Sequence, residues 1–498
     1  MTYRRITAFV IFCLLIVVTH SCTLYDRYER PCADIPDDWR VETDESNTIA
    51  NNRWWEEFGD LALNCLIADA LDYNNDLMIA TCRVEEFYAR LGIATSALFP
   101  QVNATFSGTR QELSLLGNPF FSSSSKDPLF SKMFGFTRFN GMWQLLVNAS
   151  YEVDLWGRIR SATYAARADL LASEEARRTV IITIVTSVAA AYVQLRQYDM
   201  QYEISKHTYE TRIQSLKIAQ LRFEGGLTSE MEVKQAASEV ENALTEVKQL
   251  EINIPQQENL ISILVGHPPQ DITRGLALDE LEMPMCVPAG LPSDLLNQRP
   301  DILQAEDLLI ASNFRVGEAR ALFFPTINLT GYYGGQSNAL NTIFSNPATS
   351  WLYMGLATQP LFTGGRIWSQ VELAEAIKCE AYYNYQQVIL IALREVNDAL
   401  IAHEKTLELV EVQRRRVQVV QDYLKLANLQ YNNGQSDYLN VLDAERNLFN
   451  AQLDYAQAKS QSFVTLISLY KALGGGWVVD ADYYTLTKEV EICNENDL

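Results

Sequence analysis

Twice in this chain, 66 consecutive residues pass without a proline or a glycine, at 158–223 and at 366–431. Such a run permits one continuous helix of roughly 100 Å at ~1.5 Å per residue. Globular helices average ~12 residues, so a compact soluble domain has little use for two of this length. Other landmarks repeat in the same register. Gly157-Arg158-Ile159 matches Gly365-Arg366-Ile367, segment 221–229 matches 429–437, and Val265-Gly266 matches Leu473-Gly474, all at an offset of 208. Upstream, Gly92 with Phe99-Pro100 matches Gly317 with Phe324-Pro325 at an offset of 225, so the first copy carries 17 additional residues before its Gly-Arg-Ile. A register held over more than 100 residues marks an internal duplication. Length alone, 498 residues, would suggest about three domains. The repeat replaces them with two halves of one design.

Each half reads the same way. A helical stretch ends at the Phe-Pro. A strand follows in which Val102, Ala104 and Phe106 alternate with Asn103, Thr105 and Ser107, and Ile327, Leu329 and Gly331 alternate with Thr326, Asn328 and Thr330. Polar loops at 110–140 and 334–350 lead to returning strands through Trp143, Leu145, Val147, Ala149, Tyr151 and Val153, and through Trp351, Tyr353, Gly355 and Ala357. The long helices come next, then turns at 224–229 and 432–437. Ser229, and Ser436 or Asp437, are placed to cap the returning helices, whose apolar residues recur at intervals of three and four as in coiled coils. Pro255 predicts a kink in the first of them. The apolar run at 180–193 is read as a buried helical face, being interrupted by Thr183, Thr186 and Ser187.

Composition removes other classes. Lys and Arg total 40 against 62 Asp and Glu, a net charge of −22, which disfavours a nucleic-acid partner. Repeated apolar runs of about 20 residues, the mark of a polytopic helical membrane protein, are missing. The N-terminus carries Arg4 and Arg5, a short apolar run at 6–18 and Cys22 after a small residue. This layout is a secretory signal at 1–21 with Cys22 as a lipid-anchor residue, or ordinary cleavage nearby with Cys22 free. Of the eight cysteines, six lie beyond Cys22 without a C-x-x-C pair, so no metal site is expected. The four histidines, His20, His207, His267 and His403, fit no H-E-x-x-H or Cys/His arrangement, and no catalytic residue and no cofactor are assigned.

Four strands per chain cannot close a membrane barrel, since single-chain barrels begin at about eight. Alternating strands on long helices therefore point to an oligomer that shares one barrel, apolar side to lipid and polar side to water.

These residues resemble the TolC-like outer-membrane efflux proteins, in particular the OprM and NodT lipoprotein branch. The resemblance rests on Trp54-Trp55-x-x-Phe58, on the run 290–302 with Arg299-Pro300-Asp301, on Phe324-Pro325 and on Gly364-Gly365-Arg366, in order and duplicated. It implies an α+β membrane protein: a homotrimeric 12-stranded β-barrel, four strands per chain, continuous with a periplasmic tunnel of coiled-coil α-helices. The corresponding division is a signal peptide at 1–21, an anchor segment at 22–57, repeats at 58–266 and 299–475, an equatorial linker at 267–298 and an acidic tail at 476–498. The implied role is a passive outer-membrane conduit in a tripartite efflux system, with a periplasmic membrane-fusion adaptor and an inner-membrane resistance-nodulation-division pump as partners. A type I secretion channel and a structural coiled-coil adaptor are the alternatives.

The resemblance also marks sites. Gly225, Gly226, Leu227 and Thr228, with Gly434, Gln435 and Ser436, would form the adaptor-docking turns. A family member closes its tip with a Tyr before the turn, an Arg within it and two Asp on the next helix. Tyr431 matches the Tyr and Asp443 the second Asp, whereas Asn440 stands at the first Asp and Ser436 at the Arg.

Overall fold

The computed structural model describes residues 24–32, 35–36, 38–40, 53–112, 139–283, 292–474 and 477–478. The signal segment, Cys22, Cys286, Cys493 and almost all of the acidic tail lie outside these. After a 3-10 turn at Trp54–Phe58 come helices α1 (Leu61–Tyr73) and α2 (Asn75–Ser96), strands β1 (Gln101–Glu112) and β2 (Phe139–Val153), and helices α3 (Arg158–Glu224) and α4 (Glu230–Val265). The second half has α5 (Pro300–Ala321), β3 (Thr326–Ser337), β4 (Thr349–Thr358), α6 (Arg366–Asn432) and α7 (Tyr438–Leu473). Helices α3 and α6 are each 67 residues long, as the Pro- and Gly-free runs predict. The two Phe-Pro pairs sit at the helix-to-strand junctions, where proline ends a helix without costing a ladder bond.

The chain forms two compact units. One contains 87–170 and 308–382 and holds a single antiparallel sheet of order β1-β2-β3-β4. Its two hairpins share one register. Gln101 pairs with Ser150, and adding 225 and 208 to these numbers gives Thr326 and Thr358, which also pair. The strands reach into the segments read as loops: β1 extends to Glu112 and β3 to Ser337. Ladder pairs Glu112 with Phe139 and Trp143 with Ser337 continue there, since paired backbone groups gain by prolonging the ladder. Residues 113–138 lie outside the described set.

The other unit contains 31–86, 171–307 and 383–498. Its core explains the apolar run at 180–193. Ile181, Val185, Val188, Ala189 and Tyr192 of α3 are buried among Trp54, Phe58, Leu63, Phe463, Leu466 and Tyr470. Trp54 stacks on Tyr470 at 5.1 Å, and Phe58 meets Phe463 edge-on at 5.3 Å. Helix α4 continues through Pro255 without a break. Gln257 just beyond it donates to the Ala191 carbonyl at 2.8 Å, so packing on α3 offsets the lost backbone bond. Arg299 joins three elements: it pairs bidentately with Asp301 at 2.9 and 2.7 Å, reaches Glu395 at 2.7 Å and donates to the Ala472 carbonyl at 2.9 Å.

Asp60 is a second junction and is fully buried. One carboxylate oxygen caps α1, accepting from the backbone N–H of Ala62 at 2.8 Å and of Leu63 at 3.4 Å. The other accepts from the Tyr192 hydroxyl at 2.8 Å and the Leu276 N–H at 3.0 Å. Burial, together with the negative Asp60, pushes the Tyr192 phenol well above its ordinary pKa. Gly275 leaves room for this carboxylate, because a Cβ there would collide with it. Asp60→Ala removes a cap and strands buried donors, and is expected to cost about 3 kcal/mol. Thermal unfolding in detergent measures this; a melting temperature equal to that of the native chain would show the junction to be dispensable.

Candidate gate at the helix-to-helix turns

The two turns that join the long helices to the returning ones are built alike. The Leu227 N–H bonds to the Arg222 carbonyl at 2.9 Å and the Gly226 N–H to the Phe223 carbonyl at 2.9 Å. In the second copy Gln435 bonds to Gln430 at 2.9 Å and Gly434 to Tyr431 at 3.0 Å. This pair of bonds is the Schellman C-cap, which requires a left-handed residue. Gly226 and Gly434 supply it with φ of +70° and +71°. Ser229 and Asp437 are the N-caps of α4 and α7, without a side-chain cap bond. Leu227 is 79% exposed at the turn.

The structure ties the second turn to the first helical pair through Glu232, a residue that no sequence motif marks. The Tyr431 hydroxyl donates to the Glu232 carboxylate at 2.5 Å. The Thr228 hydroxyl donates to the other oxygen of the same carboxylate. The Arg222 guanidinium lies 4.6 Å from the Tyr431 ring centre, and the Tyr438 ring packs beside it at 5.2 Å. Partial burial and the Glu232 charge push the Tyr431 phenol up to about 12, so it stays a donor at neutral pH. Glu232 is the repeat counterpart of Asn440, at the offset of 208. The acid sought on the second copy is therefore found on the first.

The other sequence candidates sit apart from this contact. Asn440 is exposed and donates to the Ser436 hydroxyl at 2.7 Å. Asp443 is exposed and accepts from the Asn447 amide at 3.0 Å. Asn440 and Asp443 lie three residues apart on α7 and so share a face.

Behind the turns the packing is thin, then ionic. Ala427, Val441 and Ala444 form a small apolar cluster with Leu424, Tyr431 and Tyr438 around it. Next comes a buried charge layer. Arg212, 3% exposed, reaches the Glu239 carboxylate at 3.2 Å and its carbonyl at 2.8 Å. Arg446 binds the other Glu239 oxygen at 2.9 Å, and the Arg212 guanidinium lies 5.2 Å from the Phe449 ring centre. Burial lowers the Arg212 pKa and raises that of Glu445 beside it. Among the described residues no group of His, Cys, Asp and Glu could hold a metal ion, and the described cysteines Cys32, Cys65, Cys82 and Cys379 are free thiols.

A duplicated unit of antiparallel hairpin and long helical pair, with polar residues at the helix turns, is the plan of a membrane-channel class. The comparisons place the chain within that class. The family model for outer membrane efflux proteins matches residues 66–267 and 291–475, and the chain belongs to that family. It is 34% identical over 464 residues to the probable efflux pump outer membrane protein TtgC of Pseudomonas putida, covering 92% of this chain and 93% of that one. It is 30% identical over 474 residues to the cation efflux system protein CusC of Escherichia coli O157:H7, covering 94% and 98%. The crystal structure of the Campylobacter jejuni CmeC outer membrane channel superposes with a TM-score of 0.82 at 27% identity, covering 91% of this chain and 95% of that one.

Replacing Glu232 with Ala removes the acceptor that Tyr431 and Thr228 share. We expect backbone amides at 430–436 to exchange with solvent several-fold faster, read by hydrogen-exchange mass spectrometry, with exchange around Tyr192 unchanged. Unaltered protection at 430–436 would remove Glu232 from the turn's support.

Proposed function

We propose that this chain is the outer-membrane channel of a tripartite efflux system in a Gram-negative envelope, working as a homotrimer. The observation that carries the reading is the sheet: four antiparallel strands with the outer edges of β1 and β4 unpaired among the described residues. Within lipid such edges must find partners, and four strands are too few to close on themselves. Three sheets edge to edge give a 12-stranded barrel. Substrate passes through unmodified, from a periplasmic adaptor and an inner-membrane pump to the exterior. The polar helical turns make the adaptor end. Leu227 and the matching 434–436 segment offer an adaptor protein one apolar and one polar contact.

The gate reading follows from chemistry at those turns. Tyr431 held by Glu232 keeps the second turn against the first, and three copies of Asn440 and Asp443 around an axis make a polar, anionic constriction. Cys22 carries the covalent lipid that anchors the mature N-terminus to the membrane.

Light scattering on detergent-solubilised protein is expected to give the mass of three chains. A monodisperse single chain that stays soluble without detergent would defeat the channel reading. In planar bilayers Asp443→Ala is expected to reduce the preference for cations over anions, with the measured reversal potential shifting toward zero in a salt gradient. An unchanged reversal potential would take Asp443 out of the constriction. Cys22→Ser is expected to lose its acyl chains by intact-mass spectrometry, and retained acyl mass would put the lipid elsewhere.

A further inference from the structure

The strand registers sort the side chains of the sheet onto two faces, because residues directly opposite each other project to the same side. One face is apolar: Phe106 stands opposite Leu145, Val147 opposite Tyr333, and Tyr333 opposite Trp351. The other is polar across the first three strands. Asn103 stands opposite Asn148, Ser107 opposite Gln144, and Glu152 opposite Asn328. The apolar residues of β2 on this side are covered: Leu146 is buried opposite Gly334, and the Gln144 amide lies 2.8 Å from the Met142 sulfur.

Strand β4 departs from the pattern. On the polar face it carries Leu352, Met354 and Leu356 in succession, opposite Tyr332, Thr330 and Asn328. They are 42%, 45% and 50% exposed. The duplication supplies the comparison. At the offset of 208 the first copy has Gln144, Leu146 and Asn148 in these places, while Trp143 and Trp351 hold the opposite face in both. The apolar side kept its chemistry, and the polar side of β4 exchanged an amide for a leucine at two of three positions.

A single exposed leucine needs no explanation, but three apolar side chains at alternate positions make a strip about 13 Å long. In the conduit reading the polar face lines water, and residues facing the lumen tune selectivity. Apolar surface laid on the strip releases the water against it. Three side chains fall far short of the ~1,600 Å² that a stable protein contact buries, so the occupant is a small molecule. Thr330 and Asn328 run beside the strip and offer it a hydroxyl and an amide.

We propose that Leu352, Met354 and Leu356 are specificity-determining residues of the conduit wall. They select small amphipathic molecules, which lay an apolar side on the strip and turn their polar groups to Thr330 and Asn328. This names a substrate class for the channel proposed above and rests on that reading.

The test uses full-length protein in planar bilayers and two quaternary ammonium ions of equal charge, tetrabutylammonium with apolar arms and tetramethylammonium without them. Tetrabutylammonium is expected to block the native current. Leu352→Gln combined with Leu356→Asn is expected to raise its half-blocking concentration about tenfold, with the response to tetramethylammonium unchanged. Gln144→Leu combined with Asn148→Leu builds a second strip and is expected to lower the half-blocking concentration several-fold. Equal block of the native chain and both variants overturns the strip and leaves the channel standing. A first variant that dissociates at lower temperature by light scattering, with no gain of block in the second, assigns the leucines to packing and also overturns the strip. A native chain that forms no conducting pore overturns the channel and this inference with it.

Discussion

A backbone N–H or C=O in hydrocarbon has no water to bond to, and each one left unpaired costs several kcal/mol. That constraint governs this chain more than any side chain does. It requires the strands to come as a ladder, and the ladder to have no ends. One chain supplies four strands, too few to close on themselves, and the proposed shared barrel is what would meet the constraint. The duplication then makes each junction a copy of another, which is why one register serves both hairpins. The long helices inherit their number and spacing from the same division, one helical pair after each hairpin.

The outline of the fold was legible because its signals are local and doubled. The absence of proline and glycine marks α3 and α6 to within a residue, and Phe-Pro marks both places where the chain passes from helix into sheet. Strand ends were less visible. Arg110, Gln111 and Glu112 read as loop by composition, yet their backbone groups continue the ladder, and pairing does not depend on hydropathy. At Pro255 the helix continues although the proline lacks an N–H, and Gln257 beside it bonds to the α3 backbone at Ala191, far away in sequence.

At the turns the glycines and Tyr431 could be found from the sequence, because turn geometry demands one and the family pattern the other. Glu232 could not be found by looking near Tyr431. It lies 199 residues away, and only the packing of the two halves brings the groups together. The signal was nonetheless present in the repeat, since Glu232 and Asn440 occupy one position of the design. Duplication lets the two copies diverge, and the acid was kept on one side only. The same divergence turned the ion pairs of Glu152 and Asp154 into Pro360 and Phe362.

The buried pair Arg212 and Glu239, which Arg446 joins from the exposed side, has a mechanical consequence. Ion pairs out of water add little net stability, but separating them is costly. Sliding α4 along α3 by one turn, ~5.4 Å, would part Glu239 from Arg212 and leave each charge unpaired in a low dielectric. Axial slip is therefore blocked. Tilting about this layer leaves its distances nearly unchanged while displacing the turns beyond it, where the apolar packing is only a few residues deep. The layer acts as a pivot bearing: it withstands thrust along the helices and yields to rotation.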